Sequence, residues 1–211
     1  VGLFARPFVY PVLDLELLRG RSAPDAVRAL AAGGARLVQL RAKSSPDRAL
    51  LDLTRECLAA ARAAGVPLIV NDRPDVARIT GADGVHVGQD DLPPAACRAV
   101  LGPAALVGVS THDEAQVAAA AREPVDYLAV GPVYPTRTKA NPDPVVGLEL
   151  VRRARARWAG PLVAIGGIAA ENARAVLEAG ADGLAVISAV LDHDDLAGAL
   201  RRLRRAAGER V

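Results

Sequence analysis

One short phrase recurs wherever a helical stretch of this chain gives way to an apolar one: AGGARLVQL (32–40), TGADGVHV (80–87) and EAGADGLAV (178–186), with REPVDYLAV (122–130) as a looser copy. Glycine there ends a helix in a left-handed turn, and a small residue leads straight into a strand. The repeat commits the chain to alternating helices and strands. Eight strands are expected, near 8–13, 36–40, 66–70, 83–87, 105–109, 126–131, 161–165 and 183–188. Helical patterns fall at 47–63, 74–80, 93–101, 113–122, 148–158, 170–179 and 194–207. Ser22 with Asp25 three residues on, Ser45 before Pro46, and Pro93-Pro94 read as helix starts.

The strands read as nearly continuous Val, Ile and Leu, the pattern of a parallel sheet buried on both faces. Spread over 211 residues, eight such units average about 26 residues each, close to the lower limit of ~200 residues for a (β/α)8 barrel. The expectation is a single (β/α)8 TIM barrel over residues 1–211. A doubly wound open sheet is the alternative, but no Gly-x-Gly-x-x-Gly follows the first strand.

Composition removes other classes. The apolar runs are shorter than a membrane span, and the N-terminus lacks a charged-then-apolar signal pattern, so a cytoplasmic location is expected. Two cysteines, Cys57 and Cys97, do not make a disulfide scaffold or a thiolate metal site and read as small apolar residues on helices. A net charge of +2 with 24% charged residues does not describe a disordered chain. The basic stretch Arg201–Arg210 has no interleaved aromatics; it reads as a solvated helix face, with no nucleic-acid partner.

In a barrel of this kind the loops after the strand C-termini carry the chemistry. Period-2 alternation puts Gln39, Arg41 and Lys43 on one side of an extended segment. Asn71-Asp72, Gln89-Asp90-Asp91 and Ser110-Thr111-His112 close the next three strands. A long loop from Gly131 to Val146 follows the sixth, Gly166-Gly167 the seventh and Ile187-Ser188 the eighth.

Of 26 basic residues only two, Lys43 and Lys139, are lysine, and both fall in these loops. Arg41, Lys43 and Lys139, with hydroxyls from Ser110, Thr136 and Thr138, suit phosphate oxygens. Asp72 and Asp91 are hard oxygen donors in the small number with which Mg²⁺ is held beside a substrate phosphate. Gly167 and Ser188 stand where this fold often binds a single phosphate through backbone N–H groups. No Glu, Cys or His closes the last three strands, so an obvious general base for enolisation or aldol chemistry is lacking. Bland readings stand beside these. Asp72 could cap the helix begun by Pro74, Asp90 could replace Asp91, and His86 could be a satisfied core residue. His112 could orient Ser110 or line the mouth, and Arg137 is expected to point outward.

Eight phrases in order, VQLRAK (38–43), VNDR (70–73), GVHVGQDDLP (84–93), GVSTH (108–112), VGPVYPTRTK (130–139), VGLELVR (146–152), AIGGI (164–168) and ADGLAVISAV (181–190), resemble those of the thiamine-phosphate synthase family. The resemblance runs from about Val9 to Leu203. It implies a transferase that joins an aminopyrimidine-methyl diphosphate to a thiazole phosphate and releases pyrophosphate, through a dissociative step that leaves a pyrimidine-stabilised carbocation. It further implies that Gln39, Arg41, Lys43, Asn71, Ser110 and Lys139 contact the pyrimidine diphosphate, and that Arg41, Lys43, Ser110 and Lys139 take part in catalysis. Asp72 and Asp91 resemble the Mg²⁺ ligands. Thr136, Thr138, Gly167, Ile187 and Ser188 resemble the thiazole-phosphate contacts. The implied partners are small-molecule substrates, with no membrane, and self-association is left open. Two rivals share the fold: a thiazole tautomerase, whose catalytic histidine is replaced here by Pro132, and a non-catalytic phosphate-binding barrel.

Overall fold

Strands that are apolar on both faces need cover on both, and here they obtain it by closing on themselves. The structure, a computed structural model, describes residues 2–136, 138 and 143–209. Strands β1 (Phe8–Asp14), β2 (Val38–Arg41), β3 (Leu68–Asn71), β4 (Gly84–Val87), β5 (Leu106–Thr111), β6 (Tyr127–Val130), β7 (Leu162–Ile165) and β8 (Gly183–Val186) pair in chain order as a closed parallel barrel. Phe8 opposite Gly183 closes β1 on β8, and Val12 opposite Gln39 sets β1 on β2. Around it lie α1 (Ala23–Ala32), α2 (Asp47–Ala63), α3 (Pro74–Thr80), α4 (Pro94–Leu101), α5 (Glu114–Ala120), α6 (Gly147–Arg157), α7 (Ala173–Glu178), α8 (Ser188–Leu191) and α9 (Leu196–Ala206). The barrel expectation holds.

Two cores result. Outward-facing strand residues such as Val9, Leu13, Leu40, Val70 and Leu128 pack under the helices, each contributing about 1.5–3 kcal/mol on full burial. On α2 the buried positions Leu50, Thr54, Cys57, Leu58 and Ala61 follow the helical period, and Thr54 satisfies its hydroxyl on the Leu50 carbonyl (2.6 Å). Inside the barrel, Phe8, Tyr10, Val12, Leu37, Ile69, Tyr127, Ala129, Val163 and Ala185 form a second cluster. Large rings fit there only because strand glycines face them. A Cβ on Gly108 would lie 2.1 Å from the Tyr127 ring, and one on Gly183 would lie 2.2 Å from Phe8. Both cysteines are buried and free, as small apolar residues should be. Among the described residues no helix is long and apolar enough to cross a membrane.

Local differences have local causes. Ser22 caps α1 by accepting from the Asp25 amide, and α4 starts at Pro94 as expected. Ser45 does not cap α2; Pro46 occupies that position, without a side-chain cap. Strands β2 and β3 begin two residues later than expected, because 36–37 and 66–67 belong to the helix-to-strand joint. The basic C-terminal helix is not wholly solvated. Arg204 is buried and ion-paired with the buried Glu209 (3.0 Å), which also pairs with Arg36 (2.8 Å).

Candidate active site

The C-terminal strand ends surround a cavity of about 450 Å³. Its walls include Gln39, Arg41, Lys43, Asn71, Asp72, Asp91, Ser110, Thr136, Thr138, Gly167, Ile187 and Ser188, so the described candidates meet in one place. Lys139 lies outside the described residues, as does Arg137. Gln39, Arg41 and Lys43 all line the cavity; Gln39 and Arg41 do so by alternation along β2, and Lys43 from the turn that follows it.

The two described cations arrive already engaged. Arg41 is ion-paired through Nη1 with Asp14, a carboxylate at the end of β1 that is 1% exposed and also accepts from the Glu16 amide (3.1 Å). Lys43 Nζ lies 3.3 Å from Asp72 Oδ2. From the sequence both are cations at the mouth suited to phosphate oxygens. Their acidic partners come from other loops and are invisible to local pattern.

Asp72 does not cap the following helix: α3 has no side-chain cap. Its backbone sits at φ 63°, a left-handed conformation rare outside glycine and better tolerated by Asp and Asn. Its amide donates to the His86 carbonyl (2.8 Å), fixing this turn against β4. Burial, reinforced by the Asp91 carboxyl beside it, raises the Asp72 pKa, while Lys43 pulls it down. Asp91 accepts from the Gly88 amide (2.7 Å), which shapes the loop after β4. Asp90 also lines the cavity, but Asp91 is the residue set against Asp72.

Two half-buried carboxyls held together beside a half-exposed amine are a poor arrangement for stability and a fitting one for a hard divalent cation. No group of three His, Cys, Asp or Glu side chains that could hold a metal occurs among the described residues. The Asp72 and Asp91 pair offers the hard oxygen donors, in the number, that Mg²⁺ commonly takes from a protein while water and substrate phosphate complete its shell.

The opposite wall is built from the loops after β6 and β7. Val133 and Tyr134 donate to Ile165 and Gly166 carbonyls (2.9 and 3.0 Å), and Val146 donates to Pro132 (2.9 Å). Gly166 and Gly167 adopt φ 99° and 62°. A Cβ on Gly166 would lie 2.5 Å from Pro132, and one on Gly167 would lie 2.5 Å from the Pro135 carbonyl. Close packing of the two loops thus demands this glycine pair. Thr136 and Thr138 hydroxyls are 3.3 Å apart, one donating to the other.

His112 and His86 both acquire places. His112 does not reach Ser110: its Nδ1 bonds the Gly131 carbonyl (2.6 Å), and Nε2 lies 3.6 Å from Asp143. Ser110 is held instead by His86 Nε2 (2.9 Å), while the Ser110 carbonyl accepts from Gln89 (2.6 Å). His86 is both a satisfied buried residue and part of the cavity floor, with Tyr10 beside it. Sequence reading passed over Tyr10. The one signal available was an aromatic residue with a polar tip inside an otherwise apolar strand.

Residues 9–190 match the family described as Thiamine monophosphate synthase. A thiamine-phosphate synthase of Chloroflexus aurantiacus is 47% identical over 196 residues, covering 93% of this chain and 90% of that one. One from Koribacter versatilis is 50% identical over 189 residues, covering 88% and 89%. Among solved structures, a thiamine phosphate pyrophosphorylase from Pyrococcus furiosus superposes with a TM-score of 0.87 at 33% identity, covering 98% of each chain.

Proposed function

Because this chain belongs to the thiamine monophosphate synthase family, we propose that the cavity at its strand C-termini is where it joins an aminopyrimidine-methyl diphosphate to a thiazole phosphate, releasing pyrophosphate. The observation that carries the reading is convergence: seven loops bring cationic, carboxylate and hydroxyl groups around one cavity of about 450 Å³.

In this reading Arg41, Lys43 and Lys139 bind the diphosphate, with Asn71, Gln39 and Ser110 at the pyrimidine end. Arg41 is presented by Asp14, which fixes the guanidinium before substrate arrives. Lys43, paired with Asp72, lines the same cavity and offers its ammonium to diphosphate oxygens there. Asp72 and Asp91 would hold Mg²⁺, which when bound supplies a Lewis acid that shares the charge of the departing pyrophosphate. Thr136, Thr138, Gly167, Ile187 and Ser188 hold the thiazole phosphate on the facing wall, through hydroxyl and backbone donors.

The step that this arrangement favours is cleavage of the pyrimidine-methyl C–O bond, with both bonding electrons leaving on pyrophosphate. Cations positioned where that charge develops lower the barrier. The resulting carbocation is captured by the thiazole ring nitrogen, whose lone pair forms the new C–N bond and needs no base. That agrees with the absence of Glu, Cys or His at the ends of β6, β7 and β8.

The test is incubation of purified protein with both substrates and Mg²⁺, with and without chelator, followed by product mass. Thiamine phosphate and pyrophosphate are expected with the metal and lost with chelator. An isomerised thiazole formed without the pyrimidine, or full turnover in chelator, overturns the reading.

A further inference from the structure

The cavity floor carries a polar chain whose middle members, Tyr10, Tyr127 and His86, have no part in the reaction above. Gln39 Nε2 donates to Tyr10 Oη (3.0 Å), which lies 3.0 Å from Tyr127 Oη. Tyr127 Oη lies 3.0 Å from His86 Nδ1, and His86 Nε2 lies 2.9 Å from Ser110 Oγ. The five residues come from β2, β1, β6, β4 and β5, so the chain crosses the barrel interior. Tyr10 is 1% exposed and Tyr127 0%, in a layer otherwise made of Val, Leu, Ile, Phe and Ala. Polar groups in such a place endanger the fold unless every one is satisfied. Apolar residues would pack that layer as well.

The chain has a sense of direction. Each hydroxyl owns one hydrogen, and a neutral imidazole has one donating and one accepting nitrogen. With Gln39 donating to Tyr10, hydrogens run from Tyr10 to Tyr127 and from Tyr127 to His86 Nδ1. The ring hydrogen then sits on Nε2 and points at Ser110 Oγ, which leaves the Ser110 hydrogen for the cavity and the Gln39 carbonyl as an acceptor. Turning the Gln39 amide over reverses every bond, so Gln39 offers a donor and Ser110 an acceptor. A mixed arrangement strands a buried hydroxyl hydrogen, which is costly. Burial pushes both phenol pKa values far up, keeping those hydrogens in place.

We propose that His86, with Tyr127 and Tyr10, is a positioning device that ties the hydrogen-bonding sense of Ser110 to that of Gln39, so that the cavity offers one donor and one acceptor together to an amino-substituted nitrogen heterocycle. This rests on the reading of Gln39 and Ser110 as contacts of the pyrimidine end, and gives it a recognition chemistry. His86 acts through Ser110 and not on the reacting atoms.

Tyr127→Phe cuts the chain at its centre while keeping the ring that packs on Gly108. The variant should lose about tenfold in kcat/KM for the pyrimidine diphosphate, as for one weakened hydrogen bond to that substrate, with KM for the thiazole phosphate unmoved. Combined with Ser110→Ala it should fall no further than Ser110→Ala alone. Multiplying losses in the double variant refute the coupling while leaving Ser110 as a substrate contact. Unchanged turnover in Ser110→Ala refutes the pyrimidine reading and the proposal with it. A readout on the native protein does not depend on the variant folding: with only three histidines in the chain, nitrogen-15 NMR near neutral pH should show the His86 ring neutral. A doubly protonated ring, which has no accepting nitrogen to carry the sense across, overturns the proposal.

Discussion

Replacing Asp72 with asparagine should make the protein more stable and far less active. Its carboxyl is drawn out of water beside the Asp91 carboxyl, and burial raises its pKa, so in the ionised form it works against folding. Asparagine removes the charge and keeps the shape. It also suits the left-handed φ of 63° that this position imposes, where alanine would cost about 1 kcal/mol or more. The lost partner is Lys43, whose side chain is 51% exposed, so that pair is worth about 0–1 kcal/mol. Removing a partly desolvated like charge recovers about 1–2 kcal/mol, leaving a net gain of about 1 kcal/mol. For a domain of this size that is roughly 2–4 °C in Tm. Turnover should fall by roughly a hundredfold or more, since several kcal/mol of charge stabilisation is lost. Thermal denaturation without metal, run on wild type, Asp72→Asn and Asp72→Ala, ranks the three near neutral pH. If asparagine is no more stable than aspartate, the carboxyls do not oppose one another. If the variant retains turnover, Asp72 holds no metal.

Asp14→Asn leaves Arg41 with an uncompensated charge in a mostly buried setting. It should cost about 3 kcal/mol, or roughly 6–12 °C in Tm, and raise KM for the diphosphate substrate more than KM for the thiazole phosphate; equal effects on both would show that Asp14 supports the fold alone. The Cys57 thiol is pushed up to about 12 by burial, with Glu56 adding to the rise. At pH 8 it should therefore resist alkylation in the native protein and react once unfolded; rapid labelling without unfolding, followed by mass spectrometry, would contradict its placement under α2.

Much of the site was legible because its signals are local. Gln39 and Arg41 share a face by alternation, and Lys43, Asn71, Asp72, Ser110, Gly167 and Ser188 sit where a strand gives out, a position hydropathy alone marks. The helix-to-strand phrase, fixed by glycine's freedom at Gly34, Gly81 and Gly180, was enough to count the units of the barrel. Partnership was not legible. Asp14 finds Arg41 across 27 positions, Tyr10 finds Tyr127 across 117, and Arg204 turns inward to Glu209 although its helix reads as a solvated basic face. His112 was a candidate neighbour for Ser110 by proximity in sequence, yet His86 holds it from the adjacent strand.

The sequence by itself determined the periodicities, and with them the number of strands, the face each residue takes and the strand ends that gather at one rim. Which charges neutralise one another, and which buried hydroxyl answers which ring nitrogen, was decided only when the barrel closed. Closure sets strand register and brings together side chains that no spacing along the chain relates; hydrogen bonds and ion pairs act over about 3 Å and depend on that register, whereas hydrophobic periodicity is already written in each segment.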